Sequence, residues 1–156
     1  MNETITELLS IVNSYSERFQ TFSENEFSAK PNPSKWSKKE VVGHLIDSAQ
    51  NNLRRFIVGQ YESVPPKITY EQDFWVAANG YQNLSKADVI DLWKLTNYSI
   101  ANVWKNMDPK NYSKKADTGK TDQQLHTLEW LAVDYNKHMK HHINQIIPGS
   151  FDVIYK

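Results

Sequence analysis

The chain has 156 residues, enough for one domain with a sizeable core, and its 18 Lys plus Arg are balanced by 18 Asp plus Glu. A formal net charge of zero supplies no field that would draw in nucleic acid or an anionic membrane surface. Cysteine is absent, which excludes disulfides, a thiolate nucleophile within the protein and zinc–thiolate sites.

The first residues, Met1 to Glu7, carry acids and lack the basic and long apolar regions of a signal peptide. No apolar run approaches the ~18 residues of a membrane span. The expectation is a soluble cytoplasmic protein forming a single domain over 1–156. Five Trp, eight Tyr and six Phe are read mainly as bulky core filling, with a few left over to line a pocket.

Helix starts are the clearest local signals. Thr4-Ile-Thr-Glu7, Ser37-Lys-Lys-Glu40 and Thr121-Asp-Gln-Gln124 each fit a capping box, in which a hydroxyl and a residue three later satisfy orphaned backbone donors. Ser85-Lys-Ala-Asp88 is a weaker form of the same start. These signals predict helices over about 4–22, 37–58, 85–106 and 121–147, none with an internal proline.

The first of these buries Ile5, Leu8, Leu9, Val12, Tyr15 and Phe19 at helical spacing. Ser23 then opens a loop that runs through Pro33. Trp36, just before the Ser37 cap, is placed to pack on Val41 as a hydrophobic staple. Between Gly59 and Leu84 lies the longest stretch without a clear helix, although Tyr70 to Asn79 fits a short one. A connection of that length crosses over or carries function, and it allows the second and third helices to run parallel. Phe74, Trp75 and Tyr81 within it are candidates for a pocket lid or for packing over the bundle end. The third helix turns Val89, Leu92, Trp93, Ile100, Val103 and Trp104 inward, and Asp108-Pro109 ends it. The fold class is therefore all-α, a four-helix bundle with a long crossover between its second and third helices.

Three of the five histidines lie between Asn136 and Gln145. His138 and His142 are four apart, one turn on the same side of a helix. At about 100° per residue, His142 projects roughly 55° and His138 roughly 95° from the centre of the apolar stripe that contains Leu125, Leu131, Tyr135 and Met139. His141 points nearly the opposite way and reads as a solvated surface residue. His126 also projects outward and is given no role. His44, in Gly43-His-Leu-Ile-Asp47, projects almost opposite to the apolar side of its own helix. Periodicity alone makes it exposed or turned toward a polar hollow. An inward-flank pair of imidazoles fits either divalent-metal ligation or hydrogen bonding to carbonyls and carboxylates.

Lys35-Trp-Ser-Lys-Lys-Glu-Val-Val-Gly-His-Leu-Ile-Asp47, followed by His138-Met-Lys-His-His-Ile-Asn-Gln-Ile146, resembles the DinB/YfiT-like superfamily. The resemblance runs from the first helix to about Ile147. It implies a four-helix bundle with a crossover after the second helix, and a divalent metal held by one histidine of the second helix and two of the last. Matched residue by residue, those are His44, His138 and His142, with His141 as a substitute if the last helix is rotated. Characterised members include S-transferases for low-molecular-weight thiols and a mycothiol-dependent isomerase; many others are described as metal-dependent hydrolases. Dimers are also expected from the resemblance.

All-imidazole ligation suits zinc or nickel, with iron and manganese as alternatives. Asp47, one turn after His44, reads as a solvated carboxylate, or else as a group that orients a ligand imidazole or acts as a base. Three readings of function follow. The first is a metal-dependent transferase joining a small thiol to an electrophile, with the thiolate supplied by a cosubstrate. The second is a metal-dependent hydrolase that activates water. The third is a non-catalytic bundle that binds a small ligand through its aromatic crossover. The tail from Pro148 to Lys156 packs on the bundle or on a second subunit.

Overall fold

The computed structural model describes residues 1–155, and four long helices dominate it: α1 (Asn2–Gln20), α3 (Lys38–Tyr61), α5 (Lys86–Asn106) and α6 (Leu128–Ile146). Two short helices, α2 (Glu24–Ser28) and α4 (Gln72–Asn79), and a hairpin of β1 (Lys115–Asp117) with β2 (Leu125–Thr127) fill the connections. Among the described residues, no helix is long and apolar enough to cross a membrane.

In the bundle α1 and α3 sit diagonally, each packed on both α5 and α6. Lys39 at the start of α3 donates to the Leu84 carbonyl just before α5 at 2.8 Å. Near the other ends of the same helices, the Phe56 and Trp104 rings meet edge to face with centroids 5.1 Å apart. α3 and α5 therefore run parallel, which the 62–85 crossover permits. α6 returns antiparallel to α3, bringing its second half to the end of the bundle where α3 begins.

Ser37 caps α3 with a complete capping box, as the sequence predicts: its hydroxyl accepts from Glu40 N at 3.1 Å and Glu40 Oε2 accepts from Ser37 N at 2.8 Å. Ser85 caps α5, accepting from Asp88 N at 3.0 Å. Two expected starts are not used. α1 begins at Asn2, ahead of Thr4, because Met1 O already accepts from Ile5 N at 3.0 Å. α6 begins at Leu128 and not at Thr121. The Gln124 N–H is taken at 2.9 Å by the Asp117 carboxylate, the segment after it pairs as β2, and Thr127 becomes the cap by accepting from Trp130 N at 3.1 Å. Leu125, assigned to the inward stripe on a longer helix, is consequently exposed on the hairpin.

Other expectations also shift. Ser23 opens the short helix α2, not a loop, with its own capping box to Glu26. Leu92 faces solvent while its neighbours Val89, Ile90 and Trp93 are buried. In the crossover Phe74 is 73% exposed, Trp75 leans on Tyr70, and Tyr81 is buried against α3, so these three form no lid. The tail folds back on its own chain. Asn144 clasps the Phe151 backbone with two hydrogen bonds of 2.9 Å, and the Phe151 ring packs on Tyr15.

Candidate metal centre

α3 is apolar on one face and polar on the other, and both faces are buried. Val42, Leu45, Ile46, Ala49 and Phe56 enter the core. On the opposite side His44, Asp47, Ser48, Asn51, Asn52 and Arg55 are each at most 8% exposed. Such a polar ridge survives burial only if its groups find partners. Asn51 and Asn52 donate to the carbonyls of Asp47 and Ser48, four residues back, at 2.9 Å each. Arg55 donates from Nη1 to Asn52 Oδ1 at 3.1 Å and from Nε to the Ile68 carbonyl at 3.0 Å. The outward projection of His44 thus leads into a polar interior, the hollow that periodicity allowed.

α6 lays His138 and His142 against that ridge. The Nε2 atoms of His44 and His138 are 3.3 Å apart, and ring centroids of His44 and His142 are 4.6 Å apart. A nitrogen from each of the three rings lies within 4.8 Å of the others. Two ligands at about 2.0–2.1 Å on a tetrahedral zinc are separated by ~3.3–3.4 Å, so the His44–His138 pair already has the spacing of one edge. The other ring nitrogens are oriented from outside: His138 Nδ1 lies 3.4 Å from Ser48 Oγ, and His142 Nδ1 is 3.0 Å from Gln145 Oε1. In each, an Nδ1–H donor leaves Nε2 with a free lone pair. His44 Nδ1 is buried without a partner.

Burial, followed by the neighbouring His142, pushes His44 down to about 3. Burial also drives His138 well below the ordinary histidine value, with further repulsion from His142 and His44, and lowers His142. All three rings are therefore neutral at pH 7, the state in which imidazole ligates a cation. Three neutral nitrogen donors with at least one open direction fit a catalytic divalent cation.

His141 lies outside the trio and is half-buried, with its Nε2 3.3 Å from Gln145 Nε2. His126 sits on β2, stacked on Trp130 at 3.9 Å between centroids. Asp47 is not the solvated carboxylate that its position suggests: it is fully buried. Its Oδ1 accepts from Tyr81 Oη at 2.7 Å and Asn79 Nδ2 at 2.9 Å, while Oδ2 has no partner. Burial raises its pKa to about 6, against the opposing effect of those two donors. No hydrogen bond joins it to any of the three imidazoles. Trp36 leans on the His44 ring at 5.1 Å.

One cavity reaches the histidines, and a second lies behind Trp36 and Gln145, which touch them. The first, of about 300 Å³, is polar and includes His138, Ser48, Asn52, Arg55, Asp134 and Tyr155 in its wall. The second, of about 570 Å³, is bounded by Trp36, Val41, Lys35, Lys38 and Gln145, the residue that holds His142. Sequence reasoning passed over Ser48, Arg55, Gln145 and Tyr155. The run His44, Ser48, Asn52, Arg55, at spacings of four, four and three, was the available signal for the first two.

The model of the DinB superfamily matches residues 11–146, and the chain belongs to that superfamily. Among solved structures it is similar to YfiT from Bacillus subtilis, at a TM-score of 0.83 and 19% identity over 93% of this chain and 82% of that one. YfiT is described as "a probable metal-dependent hydrolase with an unusual four-helix bundle topology". A mycothiol-dependent maleylpyruvate isomerase aligns at a TM-score of 0.74 and 12% identity, covering 91% of this chain and 59% of that one. A further DinB-like protein of Bacillus subtilis, YjoA, aligns at 0.64 and 17% identity, covering 98% of this chain and 96% of that one. No curated protein sequence matches the chain.

Proposed function

We propose that this protein is a metal-dependent transferase that joins a low-molecular-weight thiol to an electrophilic small molecule. The observation that carries the reading is the convergence of three neutral imidazoles, from two helices, with one of them, His138, in the wall of a polar cavity. A chain without cysteine must take its thiol from a cosubstrate. The structural likeness to a mycothiol-dependent isomerase is in keeping with a thiol cosubstrate.

His44, His138 and His142 would hold the cation, zinc or nickel by their chemistry, with iron or manganese as alternatives. When bound, such an ion lowers the pKa of a thiol or water at its open position, so that a nucleophile exists at neutral pH. Ser48 and Gln145 keep the His138 and His142 rings in the tautomer that offers Nε2. Asp47 acts from behind His44: with Tyr81 and Asn79 it fixes the helix and the crossover on which the site rests. Trp36 covers one side of the buried His44 ring.

A hydrolase that activates water is the second reading, favoured by the likeness to YfiT. Elemental analysis of purified protein tests the centre, and a panel of thiols with an electrophile, against water alone, separates the two chemistries. Protein that takes up no divalent metal, or that keeps its metal when all three histidines are alanine, overturns both.

A further inference from the structure

Arg55 is 8% exposed, and among the described residues no carboxylate lies within 4.0 Å of its guanidinium. A buried guanidinium without an ion-pair contact is costly, because protein dipoles replace only part of its hydration, and Asp134 acts on it only through space. Burial lowers its pKa, yet a guanidinium stays protonated in any protein. Its structural duties use part of its capacity. Nε and Nη2 share the Ile68 carbonyl, at 3.0 and 2.5 Å, and Nη1 donates to Asn52 Oδ1 at 3.1 Å. Of five N–H donors, one on Nη1 and one on Nη2 are left, the pair that matches the two oxygens of a carboxylate.

Arg55 belongs to the wall of the 300 Å³ cavity, which also includes His138. The polar path between them is continuous: His138 Nδ1 to Ser48 Oγ at 3.4 Å, Ser48 Oγ to Asn52 Nδ2 at 3.3 Å, and Asn52 Oδ1 to Arg55. Asp134, an acid in the same wall, accepts from Tyr155 Oη at 3.2 Å, and burial raises its pKa. Its charge and that of Arg55 attract each other through space, so a ligand carboxylate competes with Asp134 for the guanidinium, and a hydrogen-bond donor on the ligand would offset the repulsion.

We propose that Arg55, backed by Asn52 and Ser48, is the binding site for a carboxylate of a small ligand whose other end reaches the three histidines. As a statement about the substrate this rests on the metal-centre reading. As a statement about binding it does not, since Arg55 touches none of the imidazoles.

The experiment separates the two. Binding of succinate to metal-free protein, and of thioglycolate and 2-mercaptoethanol to zinc-loaded protein, is measured by calorimetry for the wild type and for Asn52→Asp and Arg55→Lys. Asn52→Asp gives Arg55 an internal charged partner of nearly unchanged size at the loss of the amide donor to Ser48, and a melting curve establishes that it is folded. The wild type is expected to bind succinate, and to prefer thioglycolate over 2-mercaptoethanol by roughly 10- to 100-fold. Folded Asn52→Asp is expected to lose succinate binding and most of that preference. Arg55→Lys, which keeps the charge but not the fork, is expected to fall between. If metal-free wild type fails to bind succinate, or folded Asn52→Asp binds it as well as the wild type, the carboxylate site is wrong. If succinate behaves as expected while no zinc is taken up, the carboxylate site stands and the metal centre falls.

Discussion

His44 and His138 bring their Nε2 atoms to 3.3 Å across the α3–α6 interface, with both rings neutral at pH 7. Without a metal, one neutral ring donates its Nε2–H to the lone pair of the other, and His44, whose Nδ1 has no partner, can be the donor. A divalent ion would replace that single hydrogen bond by coordination to both rings, which ties metal content to the stability of the α3–α6 pair.

Removing a ligand should therefore matter most when metal is present. His142→Ala is expected to lower the thermal midpoint of zinc-loaded protein well below that of zinc-loaded wild type, and to change chelator-treated protein little. Saturating metal at about 100 times its dissociation constant stabilises a fold by ~2.7 kcal/mol, which sets the scale of the difference. Equal losses with and without chelator would mean that the ring is only packing.

Acid should destabilise the metal-free protein. His44 titrates at about 3 in the folded chain and near 6.5 when unfolded, so between those values the unfolded state binds more protons and stability falls as pH falls. His138 and His142 are depressed in the same direction. Asp47 and Asp134 oppose them: the rise of Asp47 from 3.8 to about 6, and the upward shift that burial gives Asp134, make folding less favourable as pH climbs through that interval. Three imidazoles against two carboxyls predict a net fall in the thermal midpoint between pH 7 and pH 5. A midpoint that rose over that range would show that the buried carboxyls dominate.

The sequence revealed the bundle more fully than the site. Capping at Ser37 and Ser85, and the apolar spacing of α1, mark three of the long helices because caps and stripes are local. The start of α6 was misread because Thr121 and Thr127 offer equivalent hydroxyls, and the choice is made by Asp117, which binds Gln124 N from another strand. His138 and His142 declare themselves by spacing. His44 does not, since a single-helix projection assumes that the polar side meets water, whereas the polar side of α3 meets α6 and the crossover. Asp47 was misjudged for the same reason, and its partners Tyr81 and Asn79 lie more than thirty residues away.

Tyr81→Phe should cost about 1–3 kcal/mol in chemical denaturation, because it strips a 2.7 Å donor from a buried carboxylate. The same change should raise the Asp47 pKa further, since that donor favours the charged form. The infrared band of a protonated carboxyl would then persist to higher pH than in the wild type.

Gly43→Ala should also destabilise. An added Cβ would lie 2.1 Å from Tyr81 Cδ2, so either the ring or the helix must move. A loss of about 1–3 kcal/mol is expected, with weaker metal retention because His44 is the next residue. Unchanged denaturation would mean that the Tyr81 ring has room to swing aside.

The grip of Arg55 on the Ile68 carbonyl reaches further than the cavity. Ile68 N donates to Asp117 O at 3.1 Å, and the Asp117 carboxylate in turn holds Gly119 N and Gln124 N at 2.9 Å each. Pocket wall, interhelical strap and surface hairpin are thus coupled in series, like a tuning peg joined to a string. Substitutions at the hairpin turn would shift the reach of the guanidinium while leaving the imidazoles where they are. Under the proposed carboxylate site, ligand preference would then respond to a solvent-facing turn that touches none of the three histidines.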